Sequence, residues 1–150
     1  MTSVASKLEV VPIAQLVPLM SAAIADGKPV ELTVTGNSMR PLLKDRVSSV
    51  RLVRPDNLQT GDIVFFQRGD GRYVLHRITA IHDGAYDIVG DNQYAVDRDI
   101  PESCIMAKVG AYNRNGKRWK ENDAIYRALL PGVKALRYYA YRIKRKIVSS

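Results

Sequence analysis

Three segments of this 150-residue chain hold side chains that can pass a proton from one to the next: TGNSMRPLL (Thr35 to Leu43), YVLHRI (Tyr73 to Ile78) and VGDNQYAVDRD (Val89 to Asp99). A serine hydroxyl attacks a carbonyl only when a neighbouring base takes its proton, and the oxyanion that results needs donors aimed at it. A carboxylate on the far nitrogen of an imidazole base fixes its tautomer and steadies the imidazolium. Ser38, His76 and one of Asp91, Asp97 or Asp99 could fill those roles in acyl transfer. Gly36 lets a backbone approach without a side chain in the way, and Pro41 stiffens the turn that follows. Gly36, Asn37 and Met39, which surround the serine, are the candidate substrate and oxyanion contacts. Each segment also has an ordinary reading, as a turn serine, a satisfied strand histidine or a set of Asx-turn carboxylates. The second histidine, His82, precedes the turn dipeptide Asp83-Gly84, reads as solvated and is the reserve base.

The elements that must position these residues follow from periodicity. In VELTVTG, Val30, Leu32 and Val34 alternate with Glu31, Thr33 and Thr35, a half-buried strand that runs directly into Ser38. In YVLHRI, Val74, His76 and Ile78 share one face, and Tyr73, Leu75 and Arg77 share the other. Further apolar runs at 47–53, 62–67, 73–81, 85–89 and 105–112 are separated by Asp70-Gly71, Asp83-Gly84 and Asn115-Gly116, which accept the positive φ of tight hairpins. Short strands at this spacing, with no helix between them, predict a mainly β fold, an antiparallel sheet closed into a small barrel or sandwich. Ahead of it, Leu8 to Val11 is a short apolar run, and Pro18 is placed to open a helix through LMSAAIAD that Gly27 ends. Past Asn122 the period becomes helical, with Ile125, Leu129, Val133, Leu136, Ala140, Ile143 and Ile147 at steps of three or four. Pro131-Gly132 interrupts it, which predicts helices over roughly 123–130 and 133–147. The organisation expected is a β domain over 1–120 and a basic amphipathic helical tail over 121–150.

Charge is unevenly spread. Residues 1–113 carry 12 basic and 13 acidic side chains and residues 114–150 carry 11 and 2, so the whole net charge of +8 belongs to the tail. A uniformly basic nucleic-acid-binding domain is the wrong picture for the main body. Cys104 is the only cysteine, which permits no internal disulfide and has no partner at metal-ligand spacing. Neither a zinc module nor an oxidised scaffold is expected, no cofactor or metal is called for, and a reducing, cytoplasmic compartment is expected. No run of ~18 apolar residues and no basic leader with an apolar core occurs, so neither membrane spanning nor export is expected.

Taken in order, GNSMRPLL, TGDIVFFQR, YVLHRI and VGDNQYAVD resemble the successive boxes of the signal peptidase I family of S26-type serine peptidases, over Thr35 to about Val109. Bacterial members pair the serine with a lysine base, whereas archaeal and endoplasmic-reticulum members carry histidine in a "vHR" box, which LHR matches. The resemblance implies a β domain of the signal-peptidase/LexA-like type, Ser38 as nucleophile and His76 as general base. The family's "GDN" box falls on Gly90, Asp91 and Asn92, and the further aspartate of the histidine type falls on Asp97. Asp97 is thereby implied as the His76 partner, with Asp91 the next candidate. The implied oxyanion donor is the amide of Ser38, since the helping serine of some members falls on Gly36. The nucleophile box would continue with Gly-Asp, where this chain has Asp45-Arg46. Members carry a transmembrane anchor and prefer small side chains before the cut. An unanchored member is implied here, soluble or peripheral to the inner face of the membrane, trimming a leader or precursor peptide inside the cell.

The partner expected is a peptide or protein substrate. The tail, with Leu and Ile on one side, Lys and Arg on the other and Tyr138, Tyr139 and Tyr141 between, reads as a helix packed on the domain or lying on an anionic membrane surface, ahead of nucleic acid. Two other readings keep the fold. A regulatory module like the repressor-cleavage domains would use a lysine base and cut itself at Ala-Gly or Cys-Gly, and neither dipeptide occurs. A catalytically silent module would bind a peptide by pairing with a sheet edge.

Overall fold

The computed structural model describes residues 12–114 and 119–121, together with 128, 131, 132, 134–136 and 142 of the tail. The apolar run before Pro12, the Asn115-Gly116 turn and most of both tail helices lie outside the described residues. Pro131 and Gly132 are themselves helical, so the expected interruption does not fall on them.

Helix α1 (Ile13–Ala25) begins five residues ahead of Pro18, which lies inside the helix and does not open it. Proline there forfeits one intrahelical hydrogen bond. The correction has a tertiary cause: Val17, Met20 and Ile24 recur at steps of three and four, and all three are buried in one core cluster with the sheet. Gly27 ends the helix as expected. Its φ of +77° suits glycine, and Lys28 N–H to Ala23 C=O (2.9 Å) with Gly27 N–H to Ile24 C=O (3.0 Å) forms the paired Schellman closure.

The strands are β1 (Val30–Thr33), β2 (Ser49–Val53), β3 (Ile63–Gln67), β4 (Tyr73–His82), β5 (Ala85–Val89), β6 (Asp97–Pro101), β7 (Ile105–Asn113) and the short β8 (Lys120–Glu121). All pairings are antiparallel, in the order β1-β2-β7-β3-β4-β5-β6, with β8 adding to β7. The fold is mainly β as expected, but the sheet is not closed: β1 and β6 are its edges and do not pair with each other. Alternation and turn chemistry reveal how many strands exist, and say nothing of whether the first meets the last. One face carries a core of Met39, Leu42, Leu43, Val50, Leu52, Ile63, Phe65, Val109 and Tyr112 under α1. The other carries Val64, Phe66, Ile78, Tyr86, Ile88 and Ile105. Strand β3 is buried on both faces, which is why IVFF reads as a continuous apolar run.

Strand β6 takes Asp97 and Asp99 out of the Asx-turn reading while residues 90–96 stay turn and loop; its register sets Ile88 opposite Asp97 and Tyr86 opposite Ile100. Asp, Arg and Pro are poor strand formers, and they are tolerated here because β6 is an edge. At the β4–β5 turn, Asp83 and Gly84 both take positive φ (51° and 74°), the form a two-residue hairpin needs.

His82 is not simply solvated. Its Nε2 lies 3.1 Å from Asp87 Oδ1 and its Nδ1 lies 3.4 Å from Asp99 Oδ1, so both ring nitrogens are committed to holding β6 against the hairpin. Asp99 N–H also donates to Asp87 Oδ1 (3.0 Å). The hydrogen bond to Asp87 raises the His82 pKa above 6.5, and the bond from the Asp99 amide lowers that of Asp87 below 3.8. A raised imidazole pKa contributes stability below pH 6.5 that is lost as pH rises through the folded value. A depressed carboxylate pKa contributes above pH 3.8 and is lost as pH falls. Exchange at the Asp99 amide, corrected for intrinsic chemistry, should therefore be slowest between about pH 4 and 6.5 by nuclear magnetic resonance, and His82→Ala should flatten the high-pH side. A pH-independent protection factor would contradict this account.

Candidate functional site

The loop that carries Ser38 leaves β1 and is pinned at its base. Val34 N–H bonds Ser48 C=O (2.8 Å), Arg46 N–H bonds Val34 C=O (2.7 Å), and Gly36 N–H donates to Asp45 Oδ1 (2.7 Å). Gly36 has φ +84° and open space where a side chain would stand, so it is glycine for backbone conformation. Asp45 closes the loop, and Arg46 takes the left-handed conformation (φ +58°), a φ that glycine favours. Met39, Leu42 and Leu43 are buried and anchor the loop in the α1-side core. Met39 thus acts first as a core residue, one side of which reaches the cavity beside Ser38.

A second loop grips the first. Asn92 N–H donates to Ser38 C=O (2.8 Å), and Asn92 Nδ2 donates to Asn37 C=O (3.1 Å). Asp91 N–H meets Met39 Sδ at 3.5 Å. Gly90 lies at the tightest point: a side-chain carbon there would stand 2.7 Å from Ser38 C=O, 3.0 Å from Gln93 Oε1 and 3.2 Å from His76 Cδ2. Only glycine leaves room for the serine backbone and the imidazole to share this position.

What holds that loop in place is a buried ion pair. Arg77 Nε and Nη2 donate to Asp91 Oδ1 and Oδ2 at 2.8 and 2.9 Å, and Arg77 Nη1 donates to Gly61 C=O at 2.7 Å. Both side chains are almost fully buried. Asp91 therefore spends its carboxylate on Arg77, which corrects its place as second candidate for the His76 partner. The alternation of β4 is the cause, because it sends His76 and Arg77 to opposite faces and each finds a different aspartate.

His76 is buried on the face of Phe66, whose ring centroid is 6.2 Å away. Its Nδ1 faces Asp97 Oδ2 at 4.0 Å and has no hydrogen bond among the described residues. The other oxygen of Asp97 accepts from Arg68 Nη2 at 3.1 Å. Burial lowers the His76 pKa below 6.5; Asp97 and Asp91 oppose that shift, while Arg68 and Lys134 add to it. The imidazole is accordingly neutral at neutral pH, the state a general base requires.

In a trans peptide the N–H points opposite to the C=O. With Asn37 C=O and Ser38 C=O both turned to the 90–92 loop, the amides of Ser38 and Met39 point away from it, and neither meets an acceptor among the described residues. These are two donors of the kind an oxyanion needs. Ser38 borders a cavity of about 410 Å³ whose walls include Leu32, Val34, Phe65, Tyr73 and Leu75.

Sequence reasoning missed Arg77, Arg68 and Lys134. Lys134, from the tail, lines a 250 Å³ cavity with Arg77 and Asp91. Burial lowers its pKa. The arginine after His76 was a usable signal, since a buried arginine in a strand demands a carboxylate. Among the described residues one group, His82 with Asp87 and Asp99, has ligand atoms close enough for a metal, but Arg98 Nη1 also lies 3.4 Å from Asp87 Oδ2.

Two substitutions test this construction. Gly90→Ala should displace the serine loop and cost about 1–3 kcal/mol in urea unfolding, because the new methyl meets backbone. Arg77→Met should cost about 3–5 kcal/mol by leaving Asp91 buried and unpaired, and adding Asp91→Leu should recover much of it. Equal losses in the single and double variants would contradict the ion-pair account. Compared with known proteins, the chain matches no family model and none of the curated proteins.

Proposed function

We propose that the chain is a serine endopeptidase in which Ser38 is the nucleophile, His76 the general base and Asp97 the group that orients the imidazole. The observation that carries the reading is the packing at Gly90, which brings the Ser38 backbone and the His76 ring to one point while Asp97 stands across Nδ1. In the reaction, the Ser38 hydroxyl proton passes to His76 as Oγ bonds to the substrate carbonyl carbon, and the carbonyl oxygen takes the negative charge toward the free amides. Imidazolium then protonates the leaving amine as the peptide C–N bond breaks, and water hydrolyses the acyl ester by the same route. The cavity beside Ser38 suits an apolar side chain adjoining the cut, wider than the small residues implied by resemblance. The edge strand β1, paired on one side by β2, offers backbone groups to an extended substrate. A leader or precursor peptide is the substrate class proposed. No helix among the described residues is long and apolar enough to cross a membrane.

A silent peptide-binding module draws on one observation, that buried His76 Nδ1 has no hydrogen-bond partner among the described residues, so the imidazole is not yet oriented. Apo sites are often loose at this contact. Labelling decides between the two. A serine-directed phosphonate should modify the full chain at Ser38, and Ser38→Ala should abolish it. His76→Gln should reduce turnover of an extended apolar peptide by about 10²- to 10⁴-fold. Because His76 must be neutral, and burial places its pKa below 6.5, the acidic limb of kcat/KM should fall below that pH. Unmodified wild-type protein, or undiminished labelling of Ser38→Ala, would leave the binding reading in possession.

A further inference from the structure

Asp97 begins the edge strand β6, whose register opposite buried Ile88 turns its side chain to that face of the sheet but does not fix the rotation of its carboxylate. One cation restrains it. Arg68 follows directly after β3, in a turn tied by Arg68 N–H to Arg72 C=O (2.7 Å) and Gly71 N–H to Arg68 C=O (2.9 Å). Its guanidinium takes Asp97 Oδ1 at 3.1 Å, and both side chains are partly shielded, at 33% and 19% exposure. The remaining oxygen, Oδ2, is thereby turned to His76 Nδ1, a buried nitrogen with no other partner among the described residues. The gap of 4.0 Å is about 1 Å beyond hydrogen-bond length.

We propose that Arg68 is a positioning residue of the Ser38 centre, holding one oxygen of Asp97 so that the other faces His76 Nδ1 and keeps the proton on that nitrogen. The inference rests on the peptidase reading for its purpose, though its geometry stands without it. Arg68 acts through Asp97 and touches no reacting atom. Two consequences follow from the chemistry. With a carboxylate opposite Nδ1, neutral His76 holds its proton there and leaves Nε2 bare, the nitrogen that must accept from serine. Without that carboxylate the preference of free imidazole for the Nε2–H form returns, and the base is blocked. The other charges facing His76 are Asp91, already held by Arg77, and Lys134 of the tail, and neither bonds Nδ1.

The experiment reads the tautomer of His76 in the full-length, histidine-labelled protein from imidazole nitrogen shifts, at a pH where the ring is neutral. Wild type should show Nδ1–H. Arg68→Gln and Asp97→Asn should each move the population toward Nε2–H, and the double variant should add nothing further. Arg68→Lys should retain most of the wild-type signal. Arg72→Gln, which removes an exposed ion pair in the same turn, should leave it unchanged. Should Arg68→Gln lose its folded spectrum, Arg68→Met, which keeps the aliphatic stem, is read in its place. In parallel, phosphonate labelling of Ser38 should slow at least tenfold in Arg68→Gln. An unchanged tautomer in the charge-removed variant, or an equal change in Arg72→Gln, would overturn the proposal. An unlabelled wild type with the predicted tautomer shift would overturn the peptidase reading alone.

Discussion

The buried pair of Arg77 and Asp91 is the contact on which the rest of the site depends. An arginine inside a β-rich core is tolerable only with its charge matched and its donors filled, and Asp91 with the Gly61 carbonyl does both. The pair also has a directional effect. Because Asp91 stands between Gly90 and Asn92, clamping its carboxylate fixes the two neighbours, and those neighbours are what touch the serine loop. A buried salt bridge can in this way determine where the Ser38 loop sits.

His76 lies next in the chain and depends on the opposite logic. Its environment withholds charge: burial beside Phe66 disfavours the imidazolium, and the carboxylate that could restore it is shared with Arg68. An imidazole kept neutral by burial, with a carboxylate 4.0 Å from Nδ1, is in the protonation state that the proposed base role requires. The same strand therefore sends one cationic side chain into a permanent ion pair and keeps its neighbour uncharged.

The sheet stays open, with β1 and β6 unpaired to each other; α1 covers one core face, and the β1 edge lies beside the cavity that Ser38 borders. Edges are hazards for β proteins, and here they are a four-residue strand and a strand of three charged residues ending in proline. The charged edge also delivers Asp97, so the feature that discourages pairing is the one that serves the site.

Local chemistry was sufficient for much of this structure. Strand alternation around His76, the hairpin at Asp83-Gly84, the Gly27 helix end and the mainly β class are each set by steric or solvation preferences acting within a few residues, and they are legible without coordinates. The start of α1 ahead of Pro18 was not, because burial of Val17, Met20 and Ile24 by distant strands outweighs a local penalty. Nor was β6, whose residues become a strand only because β5 supplies a partner. The sharing of carboxylates, Asp91 to Arg77 and Asp97 between Arg68 and His76, depends on segments far apart in the chain. Sequence determined which groups could exchange a proton; only the sheet's order and the burial it creates decided which aspartate each cation would meet, since charges inside a low-dielectric core pair by proximity and have no memory of spacing along the chain.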